Sequence, residues 1–344
     1  MIHRARPAAQ SWIGSQRGFE PAHSDESPLK GSLVRRSCRP SFQRRACCCC
    51  IASSSTSLAA LKLLRATFDS LPDHEYIEVT SSPRGFTAPT RLDMNSRIAA
   101  AVSTTIRKVA PKAAIWGGEI GPHNGGNPVC DQQRTMRWAV YGDTLWYADA
   151  LATKAKHGYT GFCRQDYIGA DYGLVDCLTG APLPDYWMAL TFTRTMGMGV
   201  LEASLTSPDD LVSLNDTSTG TDGVARAYAH CTARLESTAG VRGSVSVLVI
   251  NLANQSTTVR FDASLGDVAR AYVLEGGADA ASSMTGQAGL MGTGIRLNGK
   301  LLTLGAGGDV PPLMPAIVHG TSAIAPPHSV AFFVLPAAGH ADCP

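Results

Sequence analysis

The sequence predicts an α/β unit followed by an all-β unit, and three observations carry this prediction. Between about residues 92 and 198, segments of helical periodicity alternate with short apolar runs, a pattern typical of parallel strands joined by crossover helices. After residue 198 the apolar segments become short and strand-like, which indicates an antiparallel β-sandwich. The length of 344 residues is sufficient for two domains.

The α/β unit is predicted to open with a helix that Asp93 caps and Pro111 closes. A short buried strand at 113–116 follows and runs into Gly117-Gly118-Glu119. After a glycine-rich loop, a second helix carries one apolar face, formed by Trp138, Tyr141, Leu145, Ala148 and Ala152. A strand at 159–165 and a third helix at 184–196 complete the alternation.

The all-β unit is predicted from short strand-like segments. They lie at 200–205, 224–231, 245–253, 257–261, 269–274 and 330–335. Asn298-Gly299 stands between two further runs, and this dipeptide is the strongest short-range signal of a β-hairpin.

Charge divides the chain into two compositions. The first fifty residues hold nine Lys or Arg and three Asp or Glu, although the whole chain has a formal net charge of only +2. The remainder is mildly acidic, which argues against a nucleic-acid-binding face on the folded part. No apolar run is long enough to span a membrane, and no secretory signal is readable at the start. Residues 1–57 are interpreted as a disordered or low-complexity basic segment, with a transit peptide or a mistaken gene start as alternatives.

Glu119 is the leading candidate for chemistry. It follows an apolar strand and two glycines, so its carboxylate is expected at the carboxyl end of a parallel strand, where barrel and open-sheet enzymes place their reactive groups. A strand-end glutamate taken alone is more often a solvated loop acid. No cluster of His, Cys and acidic residues has metal-ligand spacing, so neither a metal nor a cofactor is expected.

A series of motifs strengthens the prediction that Glu119 is a functional residue. They are Trp116-Gly117-Gly118-Glu119-Ile120-Gly121, Asn124-Gly125-Gly126, Cys163-Arg164-Gln165-Asp166, Asp171-Tyr172-Gly173-Leu174 and Leu183-Pro184-Asp185-Tyr186-Trp187. In order and spacing, from about residue 91 to 343, the chain closely resembles heparanase and its plant-type relatives. These are retaining β-glucuronidases of glycoside hydrolase family 79.

The resemblance implies roles for individual residues. Glu119 matches the catalytic nucleophile, and the matches to substrate-binding positions are Asn124, Gly125, Gly126, Gln165 and Tyr172. It further implies a disulfide between Cys231 and Cys343. Two positions depart from the family pattern: Asn124 stands where heparanase has a tyrosine, and Asp171 belongs to an Ala-Asp pair in place of Gly-Asn. An acid at Asp171 would repel a uronate if it lay close.

The largest departure concerns the second catalytic carboxyl group. In this family the acid/base glutamate follows an asparagine upstream of the nucleophile, and the sequence contains no Asn-Glu dipeptide. A complete (β/α)₈ barrel needs about 200 to 250 residues. The sequence therefore predicts only the last two or three βα units of a TIM barrel at 58–198, followed by a β-sandwich at 199–344, in a chain truncated or mis-assembled at its N-terminus.

The expected function is that of a heparanase-like hydrolase acting on glucuronic-acid-containing polysaccharides or glycosides, inactive as this chain stands. A non-catalytic carbohydrate-binding pseudoenzyme is the alternative. Neither nucleic acid nor a membrane span is expected, and the oligomeric state is left open. The resemblance implies an extracellular, vacuolar or lysosomal location.

Overall fold

Four helices and seventeen strands make up the part of the chain that the computed structural model describes, namely residues 6–7, 10–11, 70–124, 138–206, 211–213, 224–236, 242–277 and 289–344. The helices are α1 Pro83–Phe86, α2 Pro89–Val109, α3 Tyr141–Lys156 and α4 Pro184–Thr195. The strands up to the end of the α/β part are β1 Arg6–Pro7, β2 Gln10–Ser11, β3 Ser70–Tyr76, β4 Ala114–Gly121 and β5 Tyr159–Arg164. The remaining strands are β6 Met196–Leu201, β7 Ser204–Thr206, β8 Leu211–Ser213, β9 Ala225–Thr232, β10 Val245–Asn251, β11 Thr257–Phe261, β12 Val268–Gly277, β13 Gly294–Leu297, β14 Lys300–Leu301, β15 Ala316–His319, β16 Ser322–Ala325 and β17 Ser329–Leu335.

The α/β part is built on a parallel sheet with the strand order β2-β5-β4-β3. Helix α2 connects β3 to β4, and α3 connects β4 to β5, so each parallel pair is joined by a crossover helix. Because parallel strands share one direction, the carboxyl ends of β3, β4 and β5 meet at the same edge of the sheet. This edge is where the sequence predicts the functional site.

Two further sheets follow the α/β part. The larger has the order β1-β6-β9-β10-β17-β12-β13-β14, with β15 also paired to β12, and the smaller has the order β16-β11-β8-β7. All pairs in the larger sheet are antiparallel, whereas β8 and β11 in the smaller sheet run parallel. Val247 and Phe333 of the larger sheet belong to one buried cluster with Val259 and Phe261 of the smaller sheet. The two sheets therefore pack on each other through a common apolar layer.

Helix α3 joins the parallel sheet to the larger antiparallel sheet. It is buried along nearly its whole length, and Trp146 shares a core cluster with Phe332 of β17. The Tyr141 hydroxyl donates a hydrogen bond of 2.7 Å to the carbonyl oxygen of Leu274, and the Tyr228 hydroxyl donates one of 2.6 Å to Asp149. The helix contributes to one core whose two sides come from different sheets, and its buried polar residues Asp149 and Lys154 have hydrogen-bond partners there.

A disulfide joins Cys231 of β9 to Cys343, bridging 112 residues of sequence. It fastens the C-terminal segment to the larger antiparallel sheet, and the resemblance implied this same pair. Cys177 is also disulfide-bonded, and Cys163 is not its partner.

The hairpin prediction is confirmed. Asn298 and Gly299 have φ values of 49° and 81°, the left-handed conformations that a two-residue hairpin turn requires, and they connect β13 to β14. Three element boundaries were predicted wrongly. The strand predicted at 113–116 extends to Gly121 as β4, so Gly117, Gly118 and Glu119 lie within it. Helix α2 begins at Pro89 rather than after Asp93. Helix α3 begins at Tyr141 and excludes Trp138, because Val140 has an extended backbone with φ −122° and ψ 163°.

The predicted strand at 200–205 is divided in the structure. Strand β6 ends at Leu201 and pairs with β9, whereas β7 begins at Ser204 and belongs to the smaller sheet. The chain therefore changes sheets at residues 202–203, which an apolar pattern alone does not reveal.

Of the basic N-terminal segment 1–57, the described residues are those of β1 and β2. Strand β1 pairs with β6, and β2 pairs in parallel with β5. The rest of that segment lies outside the described residues. None of the helices in the described ranges combines the length and apolar character needed to cross a membrane.

Candidate functional site

Glu119 lies near the carboxyl end of β4, and two side chains of the neighbouring strand β3 contact it. The Tyr76 hydroxyl donates a hydrogen bond to Oε1 of Glu119, and Nδ1 of His74 lies 3.4 Å from Oε2. The strand register explains this, since His74 is paired with Glu119 and alternate residues of a strand share a face. The Glu119 side chain remains 35% exposed, so it is held in place and open to a ligand.

Gly118 allows β3 and β4 to approach closely beside the carboxylate. A Cβ atom at Gly118 would lie only 2.7 Å from the Cβ of Pro72 and 3.4 Å from the His74 ring. Any larger residue would push β3 away and separate His74 from Glu119. The glycine before the glutamate therefore has a steric role in assembling this site.

Tyr76 is suited to a donor role. Burial raises the pKa of the Tyr76 phenol well above its usual value, and the hydrogen bond to Glu119 raises it further. The nearby Tyr172 phenol acts in the same direction. Tyr76 therefore keeps its proton throughout the physiological range and presents it to the carboxylate.

The opposite face of β3 carries a buried ionic cluster. Lys154 of α3 is fully buried; its Nζ lies 3.3 Å from Oδ2 of Asp73 and donates a hydrogen bond to Glu75. The Tyr159 hydroxyl also donates to Asp73, at 2.8 Å. Asp73 and Glu75 alternate along β3 with His74 and Tyr76, so Lys154 anchors the strand whose other face contacts Glu119.

Gln165 and Tyr172 lie at the end of β5 and in the loop that follows. The Gln165 backbone N–H donates to the Ile120 carbonyl oxygen at 2.9 Å, which brings Gln165 beside the residue after Glu119. The peptide bond between Gln165 and Asp166 is cis. Tyr172 is buried, with 4% of its surface exposed.

Arg164 organises this end of β5. Its Nη2 lies 2.8 Å from carboxylate oxygens of both Asp143 and Asp185 and donates to the Tyr172 carbonyl oxygen at 3.1 Å. Its guanidinium also lies over the aromatic rings of Trp146, Tyr147 and Tyr172. Burial, followed by the neighbouring Asp185, raises the pKa of Asp143 well above its usual value. The arginine thereby fixes the strand and loop that present Gln165 and Tyr172.

Asn124 lies in the loop after β4, and its backbone N–H donates to Oε1 of Glu78 at 3.0 Å. Gly125 and Gly126 lie outside the described residues. Asp171, expected to repel a uronate if close, has a buried side chain with 1% of its surface exposed.

The structure thus brings Glu119, Asn124, Gln165 and Tyr172 to one edge of the parallel sheet. His74 and Tyr76, the two side chains that contact Glu119, were not predicted from the sequence. The sequence offered one signal for them: His74 and Tyr76 are two residues apart, and residues at this spacing lie on one face of a strand. In the described ranges no group of three or more His, Cys, Asp or Glu side chains is arranged to hold a metal ion.

Comparison with solved structures indicates the class of fold. A 4-O-α-L-rhamnosyl-β-D-glucuronidase from Fusarium oxysporum 12S matches with a TM-score of 0.51 at 16% identity, covering 82% of this chain and 57% of that one. An arabinofuranosidase matches with a TM-score of 0.50 at 13% identity, covering 81% of this chain and 55% of the other. The described fold is therefore similar to that of glycoside hydrolases.

Sequence comparison identifies the nearer relatives. Heparanase-like protein 1 of Arabidopsis thaliana is 32% identical over 275 residues, 72% of this chain and 45% of that protein. Bos taurus heparanase is 28% identical over 69% of this chain and 39% of its own length, and Homo sapiens inactive heparanase-2 is 26% identical over 70% and 39%. No family model matches the chain.

The resemblance to heparanase-like proteins predicted from the motifs is confirmed by these similarities. The chain spans less than half the length of these curated relatives.

Proposed function

We propose that the chain carries the nucleophile side of a retaining, heparanase-like glycoside hydrolase that acts on β-glucuronosyl linkages of polysaccharides or proteoglycan glycans. The observation that carries the proposal is the Glu119 carboxylate at a strand end, oriented by Tyr76 and His74. In this proposal the parallel strands belong to an incomplete (β/α)₈ barrel, and the antiparallel sheets form a C-terminal sandwich.

Glu119 is the proposed nucleophile. In a retaining reaction a carboxylate oxygen attacks the anomeric carbon while the bond to the leaving oxygen breaks, giving a glycosyl-enzyme that water later hydrolyses. Tyr76 holds Oε1 and thereby fixes the plane of the carboxylate. His74 lies beside Oε2, so both oxygens have a defined direction before a sugar arrives, and such preorganisation lowers the barrier to attack.

A second carboxylic acid is needed to protonate the leaving oxygen. The sequence contains no Asn-Glu dipeptide, and two described carboxyl groups near the same sheet edge, those of Glu78 and Asp166, contact residues of the neighbouring loops. Both oxygens of Glu78 contact residues 123 and 124. Asp166 turns back into its own loop, where the Ala170 N–H donates to its Oδ2 at 3.1 Å. We therefore propose that this chain alone does not cleave linkages that require a general acid.

Substrate contacts are proposed for Asn124, Gln165 and Tyr172, with Gly125 and Gly126 assigned by resemblance alone. Backbone N–H groups and a phenol can bind a uronate carboxylate without a salt bridge. A location outside the cytosol is proposed as well, extracellular or in the vacuole or lysosome, because disulfides such as Cys231–Cys343 persist in oxidising compartments.

A glycoside with an activated leaving group tests Glu119 as the nucleophile without requiring a general acid. With 2-deoxy-2-fluoro-β-D-glucuronosyl fluoride, the carbon–fluorine bond at the anomeric carbon breaks as the bond to Glu119 forms, and fluoride leaves without a proton. Peptide mass spectrometry is expected to find the fluoro-sugar on Glu119, with no labelling in Glu119→Gln and unchanged labelling in Glu202→Gln. Labelling at another residue would contradict the assignment.

A non-catalytic carbohydrate-binding protein is the second candidate, favoured by the absence of an Asn-Glu pair. It predicts that an aryl β-glucuronide binds to the purified chain and that Glu119 is never labelled. Release of the aryl group by the wild-type chain, lost in Glu119→Gln, would exclude this candidate. Calorimetric binding together with the labelling experiment distinguishes the two functions.

A further inference from the structure

The Glu78 carboxylate joins the two loops that follow β3 and β4 at the candidate site. Glu78 follows β3, and its Oε2 lies 2.5 Å from Nδ1 of His123 in the loop after β4. Its Oε1 accepts a hydrogen bond of 3.0 Å from the backbone N–H of Asn124. One side chain thus contacts two consecutive residues of the loop that begins at Pro122, three residues after Glu119. We call Glu78, His123 and Asn124 the loop clasp.

The His123 imidazole of the loop clasp is also held by aromatic stacking. The His123 ring stacks on the Trp138 ring, with centroids 4.4 Å apart and planes inclined by 7°. The Trp138 indole N–H donates to the Val79 carbonyl oxygen at 2.7 Å, and the Val79 N–H donates to the Pro122 carbonyl oxygen at 2.8 Å. Backbone hydrogen bonds, an aromatic stack and the Glu78–His123 contact therefore connect the same two loops.

The backbone at Glu78 supports a specific role for this side chain. Its φ is 54°, in the left-handed region that few residues other than glycine or asparagine adopt. Such conformations persist where surrounding contacts fix them, and they concentrate at functional sites. At Glu78 this conformation accompanies a carboxylate that contacts His123 and Asn124.

We propose that Glu78 and His123 are positioning residues that fix Asn124 at the edge of the site for sugar binding beside Glu119. This inference rests on the proposed function, in which Asn124 contacts the substrate. Glu78 acts through the Asn124 backbone N–H, and His123, which stacks on Trp138, acts by holding the Glu78 carboxylate in place. Neither residue exchanges a proton with the sugar.

The first measurement tests the clasp itself. Removing the carboxylate in Glu78→Ala is expected to increase amide hydrogen exchange of Asn124 at least tenfold, because the Asn124 N–H loses its acceptor. Glu78→Gln keeps an acceptor oxygen and is expected to restore most of the protection. Glu202→Ala is the matched control, since Glu202 is an exposed acid paired with Lys156 at 3.9 Å. Unchanged exchange in Glu78→Ala would overturn the proposal.

The second measurement tests the consequence for binding. Calorimetry with p-nitrophenyl β-D-glucuronide is expected to show at least tenfold weaker binding by Glu78→Ala and by His123→Ala, and within threefold of wild type for Glu78→Gln. Glu78→Ala/His123→Ala is expected to bind no more weakly than Glu78→Ala, because the two residues act as one unit. His319→Ala, at an exposed histidine of β15, is the control.

The outcomes separate the inference from the function on which it rests. Normal glucuronide binding by Glu78→Ala, with folding intact by circular dichroism, would overturn the positioning role and leave the proposed function standing. A wild-type chain that binds no glucuronide would overturn both. Equal loss in Glu78→Ala and Glu78→Gln would assign the effect to charge rather than to the clasp and would also contradict the proposal.

Discussion

Tyr76 donates its phenolic hydrogen to Glu119 across two neighbouring parallel strands, although 43 residues separate them in sequence. Hydrogen bonds to charged groups contribute about 1.5–3 kcal/mol. Tyr76→Phe is therefore expected to slow labelling of Glu119 by the fluoro-glucuronosyl fluoride about 10- to 100-fold. Tyr167→Phe, at an exposed tyrosine, should leave the labelling rate unchanged. Equal rates for Tyr76→Phe and wild type would show that the contact does not assist attack.

Lys154 is expected to be a major stabilising residue. Lys154→Met leaves the buried Glu75 and the partly buried Asp73 without their cation, and breaking a buried ion pair typically costs about 3–5 kcal/mol. Urea unfolding at pH 7 measures this loss. Lys156→Met is the matched control, because Lys156 is partly exposed and pairs with Glu202 at 3.9 Å, so its loss should cost less than about 1 kcal/mol. Similar costs for the two variants would refute the assignment.

His230 makes stability depend on pH. Burial lowers its pKa to about 4, whereas an unfolded histidine titrates near 6.5. Between these values the unfolded state binds more protons, so the contribution of neutral His230 is complete above about pH 6.5 and is lost as pH falls towards 4.

The expected size of this effect is about 2 kcal/mol of unfolding free energy between pH 7 and pH 5. His230→Gln should reduce the pH-dependent change by that amount in chemical denaturation, whereas His319→Gln should not. The Nδ1 of His230 lies 2.8 Å from the Gly197 carbonyl oxygen, so the glutamine amide can preserve a donor there. An identical pH dependence for wild type and His230→Gln would argue against a buried neutral histidine.

The Cys231–Cys343 disulfide is expected to stabilise the fold mainly by restricting the unfolded chain. A bridge closing a loop of this length contributes about 2–5 kcal/mol. Cys343→Ser should lower the unfolding free energy by that amount, measured in guanidinium chloride without reductant. Cys163→Ser, at an exposed cysteine outside any disulfide, should change it by less than about 0.5 kcal/mol. A Cys343→Ser variant as stable as wild type would contradict the role.

Local patterns predicted much of the fold. The apolar run before Gly117 and the periodicity of α2 and α3 identified the α/β part, and Asn298-Gly299 identified a hairpin, because each signal is contained in a few neighbouring residues. The change of sheet at residues 202–203 was missed, since residues 200–205 form one short strand-like segment without a glycine or proline to mark a break.

The environment of Glu119 was less accessible to sequence reasoning. Its position at a strand end follows from the residues before it, but His74 and Tyr76 reach it only through the pairing of β3 with β4 across α2. Lys154 illustrates the same limit: near a helix end it resembles a solvated base, and only its contacts with Asp73 and Glu75 show it to be buried. The role of Glu119 as nucleophile stays a prediction until it is labelled.

The burial of α3 between two sheets has a consequence for reading genetic variation in this chain. Because Trp146 packs in one cluster with Phe332, a substitution deep in the antiparallel region alters the support of the strand that carries Glu119. A variant far from the sheet edge that carries Glu119 can therefore lower the result of an activity or labelling assay without altering that edge directly. Measuring thermal stability beside activity for every such variant would separate a damaged scaffold from a damaged reaction centre.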